Sequence, residues 1–246
     1  MRRKLLEEMV ARGLAPDAES ASAAIERGDV TVGGAPASNP SRLVGADEPI
    51  LVVGSARFVS RGGEKLDAAL DELGVDVAGR RVLDLGSSTG GFTDCLLQRG
   101  AATVLAVDVG RSLLHERLRD DPRVSVHDGL HVRDVASVVD LGSLDLVVAD
   151  LSFISVCAAI DATGRLVRPG CDLVVLVKPQ FEAPREAADR GSGVVTDPSV
   201  VGEALSRVRA CGVRAGLDVV GEVPSRTPGR RGNVEYFLHL QRPARF

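Results

Sequence analysis

From residue 61 onward, short apolar runs alternate with helix-forming stretches, and this alternation limits the fold more than any other feature of the chain. The runs are RVLDL (81–85), TVLAVDV (103–109), RVSVH (123–127), LDLVVAD (144–150), DLVVLVK (172–178), LDVVGEVP (217–224) and VEYFLHL (234–240). Helix-type stretches fall around 64–73, 92–99, 111–119, 155–167 and 198–212. A strand apolar along its whole length has both faces buried, and strands joined through helices lie parallel. The pattern therefore predicts an α/β fold with a doubly wound, Rossmann-like sheet. PSRTPGRRGN joins the last two runs without a helix, which predicts an antiparallel final strand at the sheet edge.

Residues 1–53 have a different texture. Leu5, Leu6, Met9 and Val10 followed by Gly13 predict a short amphipathic helix, and an alanine-rich helix runs from about Ala18 to Arg27 and stops at Gly28. DVTVGGAPAS predicts a hairpin turning at Gly33-Gly34, and PILVV at 49–53 a closing strand. The expected organisation is a small α+β domain over 1–53, a linker over 54–60 and the α/β domain over 61–246.

Composition excludes several classes. A net charge of −4 gives no global nucleic-acid footprint, so RNA contacts must come from local patches. Cys95, Cys157, Cys171 and Cys211 are widely spaced with no C-x-x-C pair. They read as small core residues of a reduced compartment, neither a zinc site nor a disulfide framework. Nowhere do 18 uncharged apolar residues run together, and no signal-like stretch develops after MRRKLLEEMV; the expectation is a cytoplasmic protein with no membrane role.

The first strand opens into DLGSSTGGFTD, a strand-to-helix loop of glycines and hydroxyl residues that offers backbone N–H groups to a ligand. Its spacing, acidic-x-Gly-x-x-x-Gly from Asp84 to Gly90, is not the dinucleotide G-x-G-x-x-G. It is the form associated with S-adenosylmethionine (SAM) enzymes. Rossmann-like sheets bind ligands beyond the carboxyl ends of their strands. Asp84, Asp108, Asp128, Asp150 and Lys178 sit at such ends, with Asp108 placed for ribose hydroxyls and Asp128 near an adenine; Glu235 opens the last strand. The chain has only three lysines, and two of them, Lys65 and Lys178, stand beside these positions. Alkylating an alcohol needs a group that takes the hydroxyl proton, and a lysine flanked by carboxylates and a second cation suits that task.

Taken in order, SRGGEKL, DLGSSTGGFTDCLLQRGA, VVADLSFIS, LVKPQFE and GNVEYFLHL resemble the TlyA family, hemolysin A-like ribosomal RNA 2′-O-methyltransferases with an FtsJ-type catalytic fold. MVARGLAPDAESASAAIERGDVTVGG is similar to an S4 RNA-binding domain. The resemblance implies a Lys-Asp-Lys-Glu tetrad at Lys65, Asp150, Lys178 and Glu235, with Lys178 as base, and SAM as methyl donor without a metal. It places the cofactor against Ser60, Arg61, Gly62, Asp84, Gly86, Ser87, Ser88, Thr89, Gly90, Gly91, Phe92, Asp108, Asp128 and Asp150. The implied substrate is a cytidine in 23S rRNA, with 16S rRNA a further target in some members. The chain ends six residues after the last run, which favours the large subunit here.

Two segments depart from the family pattern, VGRSLLHERL after Asp108 and HDGLHVR after Val126, where His131 replaces the usual asparagine; both flank the adenosine end, and His131 reads as a loop residue. Residues 1–61 hold eight basic and eight acidic residues, so RNA binding there rests on Arg2, Arg3, Lys4, Arg12, Arg27 and Arg42 gathering on one face, with Arg230 and Arg231 as a second basic loop. A monomer is expected. The competing readings are a SAM- and RNA-binding ribosome assembly factor without transfer, a membrane-active cytolysin and an NAD-dependent dehydrogenase. Two strand-end lysines beside carboxylates, the missing membrane span and the missing G-x-G-x-x-G weigh against them in that order.

Overall fold

The computed structural model of the chain divides into two compact units, Met1–Arg57 and Phe58–Phe246. It describes residues 2–26, 28–52, 57–184, 193–229 and 231–244. Much of the expected linker, 54–56, lies outside these, whereas Phe58, 2% exposed, belongs to the core of the second unit.

In the first unit, β1 (Arg2–Lys4) leads into α1 (Leu5–Ala11) and α2 (Ala18–Glu26), followed by β2 (Val30–Val32), β3 (Ala35–Pro36), β4 (Leu43–Gly45) and β5 (Ile50–Val52). The strands form a β1-β4 pair and an antiparallel β3-β2-β5 sheet. Gly33 and Gly34, at φ 62° and 81°, make the two-residue β2-β3 turn, whose hand requires positive φ at both positions. Leu5, Met9, Ile25, Val30, Val32 and Val44 fill the core, so the helix period of α1 and the alternation of β2 point at one centre. Strands β1 and β4 are additions to the expected helix-helix-hairpin module. They are three residues each, too short to signal themselves.

In the second unit, α3 (Arg61–Leu73), β6 (Arg81–Leu85), α4 (Gly91–Gln98), β7 (Thr103–Asp108), α5 (Glu116–Arg119), β8 (Val124–Asp128) and β9 (Leu146–Ala149) come first. Then follow α6 (Cys157–Thr163), β10 (Asp172–Val177), α7 (Pro179–Glu182), α8 (Pro198–Arg214), β11 (Asp218–Pro224) and β12 (Tyr236–Gln241). The seven strands run in the order β11-β12-β10-β9-β6-β7-β8, with β6 to β10 parallel to one another. Alternate residues of each strand feed opposite cores. Leu83, Val107, Val147 and Val175 pack toward α6 and α8, whereas Val82, Ala106, Val148 and Val174 pack toward α3 and α4. Each such buried Leu or Val contributes roughly 1.5–3 kcal/mol.

The final strand is antiparallel, as expected, but it is not the edge. β12 lies between β10 and β11, with its four middle residues buried, and the mostly exposed β11 forms the border. Burial decides the order: the middle of YFLHLQ is buried on both faces, and DVVGEVP is not. The helix expected over 111–119 shrinks to four residues because Asp108 and Asp128 accept from the N–H groups of Gly110 and Ser112 and bend the backbone.

The cysteine expectation is corrected. Cys157 on α6 and Cys211 on α8 are joined in a disulfide, Cα atoms 5.8 Å apart, although 54 positions separate them. Packing of α6 on α8 brings them together, which spacing in the sequence does not reveal. Cys95 and Cys171 take part in no disulfide and are buried, as core residues should be. His239 is structural, donating or accepting at 2.8 Å from Asp172, whose other oxygen receives Arg80 at 2.6 Å.

Candidate active site

The glycine loop after β6 is shaped by close approaches. Gly86, at φ 84°, sits where a Cβ would come within 2.5 Å of the Asp150 carbonyl oxygen, so only glycine lets β6 and β9 open side by side here. Gly90, at φ 98°, starts α4. Ser60 caps α3, and a Cβ on Gly91 would fall 2.1 Å from its hydroxyl, so the first turns of α3 and α4 lie against each other.

Asp84 ends up fully buried beneath this loop. Thr93 donates to its Oδ2 at 2.6 Å, while Oδ1 is buried without a hydrogen-bond partner among the described residues. Burial pushes the Asp84 carboxyl up to about 7, and the nearby negative charge of Asp150 adds to the effect. A buried acceptor without a donor is costly unless a ligand supplies one. The α-ammonium of SAM is such a donor. The residues therefore fit the cofactor the spacing predicts.

The other expected cofactor residues divide. Asp108 accepts from Ser88 N at 2.9 Å and Gly110 N at 2.7 Å, which holds its carboxylate at the end of β7 with lone pairs to spare for ribose hydroxyls. Asp128 is bound to Ser112 N and Arg119, and the hydrogen bond from Ser112 holds it below the usual carboxylate range. Ser87 is buried, Ser88 and Thr89 are exposed on the loop, and Ser88 has φ 48°. Gly62 follows the Ser60 cap, and the Arg61 guanidinium donates to Pro228 O at 2.7 Å, which commits it to the loop before β12. Phe92 is 3% exposed and its ring stacks on Phe237 with centroids 6.0 Å apart, so it packs in the core beneath the start of α4.

The tetrad residues meet at the carboxyl ends of β9 and β10. Register does this directly: Val177 pairs with Tyr236, so Lys178 and Glu235 are the next residues outward on neighbouring strands. They form two lysine–carboxylate pairs. Lys65, on the first turns of α3, donates to Glu235 at 2.6 Å, and Lys178 contacts Asp150. Lys178 also donates to Ser152 Oγ at 3.1 Å, a partner the sequence reading missed. Both ammonium groups are about nine-tenths buried, in keeping with paired charges inside a protein.

An aromatic side chain stands beside them. Phe153 has φ 66° and is 92% exposed as a residue, and its ring rests against Phe181, centroids 5.5 Å apart, with Lys178 Nζ 5.9 Å from the Phe181 centroid. Nothing in VVADLSFIS announces an exposed phenylalanine, since an apolar residue between two strands reads as core.

The match to known proteins follows this geometry. The FtsJ-like methyltransferase family model matches residues 58–242, nearly the whole second unit. A Mycobacterium tuberculosis protein named 16S/23S rRNA (cytidine-2′-O)-methyltransferase TlyA is 43% identical over 236 residues, covering 95% of this chain and 88% of that protein. The chain belongs to the TlyA family of FtsJ-like methyltransferases. YqxC of Bacillus subtilis, described as a candidate rRNA methyltransferase, is 41% identical over 96% of this chain and 84% of its own length. A solved hemolysin candidate from Streptococcus thermophilus superposes with a TM-score of 0.73 at 33% identity, covering 98% of this chain and 89% of that one. No helix among the described residues of this TlyA-family chain is long and apolar enough to cross a membrane.

The expected RNA-facing residues of the N-terminal unit are not equivalent. Arg2, Arg3 and Lys4 are exposed along β1. Arg12 is corrected: it donates to Glu8 and to the carbonyls of Gly45, Ala46 and Glu48, so it clasps the β4-β5 turn instead of standing free. Arg42 pairs with Glu48 at 3.2 Å. Arg27 and Arg230 lie outside the described residues, and Arg231 is exposed. In the divergent segments, His115 and His131 each accept from a backbone N–H two residues on and act as turn caps, in line with the loop reading of His131.

Proposed function

We propose that the chain transfers a methyl group from SAM to the ribose 2′-hydroxyl of a cytidine in ribosomal RNA. The observation that carries this reading is the placement of Lys178 beside Asp150 and Ser152 at the end of β10, next to the Asp84–Gly90 loop. Family membership supports it over the whole second unit.

When bound, SAM supplies a methyl group on a positively charged sulfur. Asp84, Asp108 and the loop N–H groups hold the cofactor's ammonium, ribose and backbone-facing atoms. With the cofactor bound to supply the methyl group, Lys178 Nζ would accept the proton of the 2′-hydroxyl. Asp150 and Ser152 receive the hydrogens of the ammonium so formed. The Lys65–Glu235 pair contributes a second cation near the base and fixes the start of β12 against α3. The exposed Phe153 ring gives the target base a face on which to stack, which is how enzymes hold a nucleotide drawn out of its surroundings.

The N-terminal unit acts as an S4-like RNA-binding domain, with β1 offering Arg2, Arg3 and Lys4 to phosphates. The chain works as a monomer in the cytoplasm, where ribosomal subunits are found. The test is incubation with labelled SAM and ribosomal subunits lacking the modification, followed by alkaline digestion. Label on an alkali-resistant cytidine dinucleotide in 23S or 16S rRNA supports the reading. Tight SAM binding without label in either subunit replaces it with the assembly-factor reading.

A further inference from the structure

Glu182 closes the LVKPQFE segment and is 3% exposed. Its carboxylate takes part in no salt bridge among the described residues, although burying a carboxylate costs several kcal/mol unless donors satisfy it. Both oxygens are satisfied by one loop: Ser155 Oγ donates to Oε2 at 2.6 Å and Val156 N to Oε1 at 2.7 Å. Arg207 on α8 donates to the Glu182 carbonyl, which anchors the residue itself.

The loop so gripped is the one that follows Asp150. It carries Phe153 in the left-handed region at φ 66°, a conformation that costs a bulky residue about 1 kcal/mol or more and persists only where neighbours enforce it. Three contacts enforce it here. Ser152 is tied to Lys178, the Phe153 ring leans on Phe181, and Ser155 and Val156 are tied to Glu182. Segment 178–182 therefore laces the whole 151–156 loop, with Glu182 at the far end.

We propose that Glu182 is a positioning residue for methyl transfer: it fixes the 151–156 loop so that Phe153 faces the entering nucleotide. The proposal rests on the rRNA reading above. A residue that only stabilised the fold would lower stability without regard to Phe153; a residue that acts through the loop loses its effect once the Phe153 ring is gone.

The experiment is a double-mutant cycle with Glu182→Gln and Phe153→Ala on the full chain, reading kcat/KM for subunits lacking the modification and the Kd for SAM. Each single variant should lower kcat/KM by about tenfold or more while the SAM Kd stays within about twofold. The double variant should fall no more than about twofold below Phe153→Ala alone. Losses that multiply, a wild-type kcat/KM in Glu182→Gln, or a weakened SAM Kd overturn the proposal. Should Glu182→Gln fail to fold, Ser155→Ala, which removes the donor to Oε2 together with the acceptor of Cys157 N, passes through the same cycle with the same outcomes. A wild-type chain that methylates no subunit rejects the rRNA reading itself, whereas an active wild type with multiplying losses rejects only the role of Glu182.

Discussion

Lys65 and Glu235 lie 170 positions apart in the chain and 2.6 Å apart in the fold, with side chains 10% and 3% exposed. This pair ties the first helix of the catalytic unit to its last strand. Removing one partner leaves a buried charge uncompensated, which costs about 3–5 kcal/mol. Glu235→Gln and Lys65→Met should each lower the unfolding free energy by about that amount and reduce methyl transfer at least tenfold. The double variant should recover much of the stability but not the activity. Denaturant unfolding beside a transfer assay separates the two effects.

Asp84 predicts a pH dependence. Its carboxyl is raised from 3.8 to about 7 by burial, so the folded chain holds that proton more tightly than the unfolded one. The stability from this difference is complete below pH 3.8 and is lost as pH rises through about 7. In Asp84→Asn that slope between pH 5 and pH 7 should vanish, measured by urea midpoints along a pH series. The same variant should bind SAM about 10–100-fold more weakly at pH 8, since it lacks the anion that meets the cofactor's ammonium.

The Cys157–Cys211 bridge predicts a purely structural effect. Replacing both cysteines by serine should cost about 3 kcal/mol of stability and leave transfer at permissive temperature unchanged. Mass spectrometry of a non-reduced digest should recover the linked peptides; two free thiols there, with no change in melting on reduction, contradict the bridge.

On the N-terminal unit, β1 carries Arg2, Arg3 and Lys4 in the open, whereas Arg12 is held by the β4-β5 turn. Arg2→Glu with Lys4→Glu should weaken RNA binding and make the salt dependence of log K shallower by about two charges. Arg12→Ala should instead lower the stability of the unit, with little change in the salt slope. The pair of results distinguishes a phosphate contact from a turn clasp.

What the sequence disclosed follows from range. The Asp84–Gly90 spacing, the apolar strands and Lys178 at the end of LVVLVK are local signals, and each lands where its period or spacing says. The grouping of Lys65 with Glu235 came only through resemblance to a family, because nothing local connects α3 to β12. Contacts with no local signature stayed hidden: the Cys157–Cys211 bridge, the Arg12 clasp and the grip of Glu182 on Ser155. Phe153 is turned outward by a positive φ that apolar patterning does not encode.

The central claim is that Lys178 accepts the 2′-hydroxyl proton. The most direct measurement is single-turnover methyl transfer from labelled SAM to subunits lacking the modification, comparing wild type with Lys178→Ala and Lys178→Arg across pH 6 to 9. Lys178→Ala should lose about 10²–10⁴-fold in rate with SAM affinity retained, and Lys178→Arg should not restore it, because arginine keeps its proton. Transfer by Lys178→Ala within a few-fold of wild type contradicts the account.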